Sequence, residues 1–200
     1  KPASLWFKDF DNNGSIDPIL CYYNGDKSYP LHFRDRMLDQ MIFLKKKFTR
    51  YQTYANATIA DIFDSNQMKG AVELKANTFE HAVFINKAGK IFDHRPLPVY
   101  SQISSVQSII TDDLDKDGKP EIMLGGNFYG TDAQIGRYDA SIGVVLKVNN
   151  QFEFEVMQVE QRGWSIPGNV RHIIPFDNKR KFWVVKNNDI SAFIGKNDLN

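Results

Sequence analysis

Cysteine occurs once in these 200 residues, at Cys21, so no internal disulfide holds the fold and no cysteine-based metal cluster forms. The lone thiol lies in an apolar run and reads as a small buried hydrophobe, which says little about compartment. His32, His81, His94 and His172 share no spacing typical of a metal site, which excludes the usual zinc motifs. No run approaches the roughly 18 apolar residues of a membrane helix, so a helical span in this chain is not expected. Charge of one sign is missing too: 25 basic residues stand against 24 acidic ones. That balance gives no global field to attract nucleic acid or an anionic membrane. There is no G-x-S-x-G elbow, P-loop or dinucleotide fingerprint, and no catalytic set is apparent.

What is present is ordinary globular composition, enough for one domain with a sizeable core, and an acidic loop that occurs twice. Residues 9–17 read DFDNNGSID and residues 113–121 read DLDKDGKPE. Asp9, Asp11, Asn13, Gly14 and Asp17 thus recur at the same offsets as Asp113, Asp115, Asp117, Gly118 and Glu121. Apolar stretches enter each copy (LWF, SII) and leave it (ILCYY, IMLGG), so the repeated unit is strand, acidic loop, strand.

Like charges this close need a cation at their centre or water all round them. Oxygen ligands at positions 1, 3 and 5, a glycine at 6, a backbone carbonyl at 7 and a further carboxylate suit a hard cation of calcium's size better than magnesium, which prefers stricter octahedral geometry. In the first loop these are Asp9, Asp11, Asn13, the carbonyl of Ser15, and Asp17. In the second they are Asp113, Asp115, Asp117, the carbonyl of Lys119, and Glu121. An EF-hand is rejected, because its bidentate Glu falls at position 12 and a helix follows, whereas here Leu20 and Leu124 occupy that place inside strands. The plain alternative is a pair of solvated hairpin turns, and the recurrence in matching contexts weighs against it.

Around the loops, short runs such as EHAVFIN, KIFDHRPL, GVVLKVN, FEFEVMQV and KFWVVKN, punctuated by Gly, Asn, Asp and Pro, predict antiparallel meanders. Lys87-Ala88-Gly89-Lys90 and Asn149-Asn150-Gln151 are expected hairpin turns. The exception is 34–66, where Leu38, Ile42 and Phe48 recur at near-helical spacing without Gly or Pro, predicting one or two inserted helices. A weaker third copy, HIIPFDNKRKFWVV at 172–185, keeps Asp177 and Asn178 but loses the Gly and the other acids; a strand pair without metal is expected there.

Repeats of roughly 40–60 residues built from short antiparallel strands are the signature of a β-propeller. The fold class expected is mainly β: about three propeller-type blades with a helical insertion. Blade 1 is placed at 1–98, with the insertion at 34–66, blade 2 at 99–163 and a partial blade 3 at 164–200. Three blades fall short of the roughly four to eight that close a ring, so the segment is expected to belong to a larger or incomplete propeller. The opening KPASLWF has neither an initiator Met nor a signal-like segment, which reads as a processed protein or an excised piece.

The loop D-x-[DN]-x-[DN]-G-x-x-[DE] between two apolar strands resembles the FG-GAP/VCBS repeat of integrin-type β-propellers and of many secreted or surface bacterial proteins. The longer pattern RDRML…LKKKF…YANATIADIF, LPVYSQISSVQSI and LGGNFYG…GRYDASIGVVL is similar to the multi-repeat FG-GAP/VCBS proteins of the Bacteroidetes often described as similar to cartilage acidic protein. The resemblance covers almost the whole chain. It implies calcium loops, longer propellers, export and surface display, hence an extracellular, cell-surface or periplasmic location in a bacterium. It does not extend metal binding to the eroded loop at Asp177.

The function expected is a non-enzymatic, calcium-stabilised module for protein or glycan binding and adhesion; the alternative is an accessory or catalytic domain acting on polysaccharide, since fold does not decide function. An intracellular scaffold is disfavoured, because weak calcium loops would stand empty in cytosol. The basic stretch from Arg34 to Arg50, with Lys45, Lys46 and Lys47, reads as a solvated helical face, and the sequons at Asn13 and Asn56 as chance. Asn127, Tyr129, Arg137 and Tyr138 lie in a long loop rich in Arg, Tyr and Asn, which is either a recognition surface or a buried polar plug.

Overall fold

The computed structural model describes residues 1–177 and 181–195. The chain is mainly β and divides into two compact units, Lys1–Phe79 and the part from Glu80 onward.

The first unit is an antiparallel sheet of β1 (Ala3–Lys8), β2 (Asp17–Asn24), β3 (Lys27–Pro30) and β4 (Val72–Ala76), in the order β3-β2-β1-β4. In β2 the period-two rule is plain: Asp17, Ile19 and Cys21 are buried while Pro18, Leu20 and Tyr22 are exposed. That register turns the last acid of the first loop toward the core.

Between β3 and β4 the chain makes a string of short helices instead of one or two longer ones. They are α1 (Arg34–Gln40), a 3-10 turn at Ile42–Lys46, α2 (Tyr51–Ala55), α3 (Ile59–Ile62) and α4 (Ser65–Met68). The last two breaks, before α3 and α4, have a local cause. Thr58 and Asp64 each form a capping box, with Asp61 and Gln67, and a residue committed to capping the next helix leaves the preceding one. Leu38 and Phe48 face the core as expected, but Ile42 is 67% exposed, because the chain leaves α1 at Met41 and the 3-10 turn rotates the following residues off its stripe. Met37, Leu38, Met41, Leu44, Phe48, Ile62 and Phe63 close over Ile19 and Cys21. Lys45 and Lys46 are exposed.

The second unit opens with a hairpin, β5 (Ala82–Lys87) and β6 (Ile91–Pro96). Ala88 and Gly89 both have positive φ at the expected turn, 55° and 76°, within the three residues that join Lys87 to its partner Ile91. A four-stranded sheet follows: β7 (Val106–Asp112), β8 (Glu121–Gly126), β9 (Val144–Val148) and β10 (Phe154–Val156), in the order β10-β9-β8-β7. After a short helix, α5 (Val159–Arg162), come β11 (Val170–Phe176), β12 (Lys181–Lys186) and β13 (Ala192–Gly195), paired in that order. HIIPF and KFWVV therefore pair, with Ile173 opposite Val184; Asn178 lies outside the described residues.

The central strands of the four-stranded sheet, β8 and β9, are buried on both faces, while β7 leaves Gln107, Ile109 and Thr111 exposed. Met123 and Val145 pack with Val170, Ile173, Phe182, Val184 and Ile194 of the three-stranded sheet. Leu124, Val144 and Leu146 pack on the other side with Leu97, Val106 and Phe154 among others. Gly125 permits the close approach of β11: a Cβ there would stand 2.7 Å from Ile173 Cδ1.

Candidate metal loops

Each acidic loop joins the first two strands of its meander, β1 to β2 and β7 to β8. The two backbones bend in the same places. The fourth and sixth loop residues are left-handed in both copies: Asn12 and Gly14 at φ 58° and 89°, Lys116 and Gly118 at φ 64° and 87°. Glycine and asparagine accept this conformation readily, whereas a lysine adopts it at a cost of roughly 1–2 kcal/mol.

Four hydrogen bonds repeat offset by offset. The first acid accepts from the glycine amide: Gly14 N to Asp9 Oδ2 at 2.8 Å and Gly118 N to Asp113 Oδ2 at 3.2 Å. The third position accepts from the fifth, with Asn13 N to Asp11 Oδ1 and Asp117 N to Asp115 Oδ1 both at 3.2 Å. The fifth accepts from the seventh, with Ser15 N to Asn13 Oδ1 and Lys119 N to Asp117 Oδ1 both at 2.8 Å. The ninth reaches back to the second, with Phe10 N to Asp17 Oδ2 at 2.8 Å and Leu114 N to Glu121 Oε2 at 2.7 Å. These bonds hold the side-chain oxygens in place at the cost of one backbone amide each.

The second residue of each loop is apolar and buried. Phe10 stacks on Phe63 of the helical insertion, ring centroids 4.3 Å apart, and Leu114 joins the core under Met123. The loop tips are exposed, while their closing acids, Asp17 and Glu121, are each only 2% exposed.

Carboxylate oxygens of Asp9, Asp11 and Asp17 all lie within 4.8 Å of one another, as do those of Asp113, Asp115 and Asp117. Both sets are hard oxygen donors, chemically fitted to a metal ion such as calcium. Glu121 stands apart from the second trio. Burial raises its carboxyl above the ordinary carboxylate value, the Leu114 amide opposes this, and the charges of Asp115 and Asp117 add to the rise.

Two partners have no counterpart in the local motif. Gln40, at the end of α1, donates Nε2 to Asp17 Oδ1 at 2.8 Å, and Lys147 of β9 pairs its ammonium with Asp115 Oδ2. The Lys147 hydrogen bond holds the Asp115 carboxyl below its usual range. Neither is readable from the loop, since each arrives from more than 20 positions away through sheet register or helix placement.

The candidate recognition residues separate. Asn127 is 1% exposed and wholly committed: Nδ2 donates to the carbonyls of Ser141 and Gly168, and Oδ1 accepts from Ser141 N. It is a staple at the base of the loop. Phe128 and Tyr138 form a two-residue bridge above it. Tyr129 is half-buried with the Arg137 guanidinium 4.9 Å from its ring centre, and Arg137 and Tyr138 are exposed. The loop thus has a buried polar base and an exposed tip. Arg162 is a buried residue the sequence reading missed; it donates to the Gly143 carbonyl and lies 5.0 Å from the Trp164 ring centre.

Comparison with known proteins gives a distant link. Integrin alpha-7 of mouse (Mus musculus) is 30% identical over 89 residues, 43% of this chain and 8% of that protein. Integrin alpha-7 of rat (Rattus norvegicus) matches to the same extent. The matched stretch thus spans a small fraction of these curated relatives. No family model matches the chain, and no solved structure matches it. The β-rich fold and this likeness fit the integrin-type repeat that the acidic loops resemble.

Proposed function

We propose that this chain is a non-enzymatic FG-GAP/VCBS propeller segment, stiffened by calcium, that binds protein or glycan ligands in adhesion at the cell surface. The observation that carries the reading is the agreement of the two loops, in separate sheets, in their left-handed bends and in four hydrogen bonds at matching offsets. Asp9, Asp11, Asn13, Asp17 and the Ser15 carbonyl would hold one ion. Asp113, Asp115, Asp117, Glu121 and the Lys119 carbonyl would hold the other. A bound ion supplies charge neutralisation, so each loop's carboxylates cease to repel and fix the strand pair that follows. Sites of roughly 0.1–1 mM affinity suffice outside a cell, in keeping with a secreted, bacterial surface or periplasmic location.

In this reading the blades follow the division at 1–98, 99–163 and 164–200, with the β5–β6 hairpin counted in the first division although it is a sheet of its own, and the remaining blades are supplied by a larger propeller. No described helix is long and apolar enough to cross a membrane. The ligand-facing group is Tyr129, Arg137 and Tyr138, with Asn127 holding their loop from beneath. Aromatic and Arg side chains on a pinned loop give large contact area at small entropic cost. The test is a glycan and protein array probed with the full chain, with and without chelator. Tyr129→Ala and Arg137→Ala are expected to weaken a captured ligand about tenfold, while Lys45→Ala with Lys46→Ala leaves it unchanged. The opposite pattern would move the binding surface to the helical insertion.

A further inference from the structure

The two loops differ in what already neutralises them. In the first, the partner reaching in is a neutral amide, Gln40 on Asp17. In the second it is a cation, the Lys147 ammonium on Asp115. The chain's own positive charge is seated on the third-position carboxylate of the loop.

Lys147 has a second place to go. In the β9–β10 pairing Glu155 stands directly opposite Lys147, and cross-strand partners share a face of the sheet. A cavity of about 320 Å³ adjoins it, lined among others by Asp117, Glu121, Lys147, Glu153 and Glu155. The Lys147 side chain is 40% exposed and that of Asp115 22%, so the pair is neither locked in the core nor free in solvent.

Resting on the calcium reading above, we propose that Lys147 is a built-in counter-ion of the second loop, which a divalent cation displaces from Asp115 toward Glu155. An Asp115 oxygen engaged with an ammonium is withdrawn from a metal, and two cations on one carboxylate repel. The loops are therefore unequal. The first depends on its metal for neutralisation. The second is partly neutralised without one and binds its ion more weakly for that reason.

Calcium titration calorimetry on the full chain in an Asp11→Ala background isolates the second loop. Lys147→Met, which keeps the stem and removes the charge, is expected to tighten calcium by up to about fivefold, the scale of a part-exposed ion pair. Lys147→Gln carries the same test should the first variant fold poorly, and Lys147→Arg should keep the weaker binding. Glu155→Gln, which removes the alternate seat, is expected to weaken calcium. In chelator, Lys147→Met should melt below the chain that retains Lys147. Calcium binding retained at unchanged or weaker affinity on neutralising Lys147 would overturn this inference while leaving the calcium reading intact. Absence of calcium binding in the wild-type chain as well as in every variant would overturn both.

Discussion

Asp17 and Glu121 close their loops from inside the protein, and their burial sets them apart from the exposed acids at the tips. Glu121 has its carboxyl raised by burial and by the charges of Asp115 and Asp117. For an acid this sign means that the folded chain holds the proton more tightly than the unfolded one. Metal-free stability contributed by Glu121 is therefore present below the ordinary value near 4.3 and is lost as pH rises through the raised one. Glu121→Gln keeps an oxygen for the Leu114 amide and removes the charge. In chelator its melting temperature should equal or exceed that of wild type, and its rise on adding calcium should be smaller; scanning calorimetry with and without chelator reads both. Cys21 is fully buried, and that burial pushes its thiol up to about 11. Stability from keeping this thiol protonated is full below the ordinary value of 9.0 and is lost as pH rises through about 11. A thiol-reactive dye at pH 8 should leave the native chain unlabelled and label it fully in guanidinium.

Among the elements, the helical insertion does more than separate two strands, because Phe10 stacks on its Phe63 and Gln40 holds Asp17. Phe10→Ala should cost roughly 3–5 kcal/mol in denaturant unfolding and weaken calcium at the first loop while sparing the second. Within the insertion, Asp61 is held below the usual carboxylate range by hydrogen bonds from the Thr58 hydroxyl and amide. The cap's stability is thus present above the ordinary value near 3.9 and lost as pH falls through the lower folded one. Thr58→Ala should cost about 1 kcal/mol at neutral pH, with the deficit shrinking in acid unfolding curves. The strands were legible because alternation such as Asp17, Ile19, Cys21 is a local pattern with one physical cause. The helical region is legible as to type but not as to its breaks, since Ile42 fits the periodicity while the chain leaves α1 at Met41 for a 3-10 turn that no capping residue announces. Lys147 and Gln40 gave no signal, because sheet register and helix placement bring them to the loops. Asn127 read as a contact residue by its type, and only its three hydrogen bonds to backbone show it to be a staple.

For the whole molecule, the two compact units each carry one acidic loop and a core beneath it, so a metal bound at either loop would couple to the stability of its unit. A ligand that binds only the folded chain adds roughly 2.7 kcal/mol at a hundredfold excess over Kd, and chelation should lower the melting temperature accordingly. The unequal charge partners of the loops make the two sites separable by mutation. The most direct measurement is calorimetric titration of the full chain with calcium. Wild type should take up two ions, the tighter of them lost in Asp11→Ala and the weaker in Asp115→Ala, and the double variant should give no binding heat. No calcium uptake by wild type, or uptake unchanged in the double variant, would contradict the assignment of the acidic loops as metal sites.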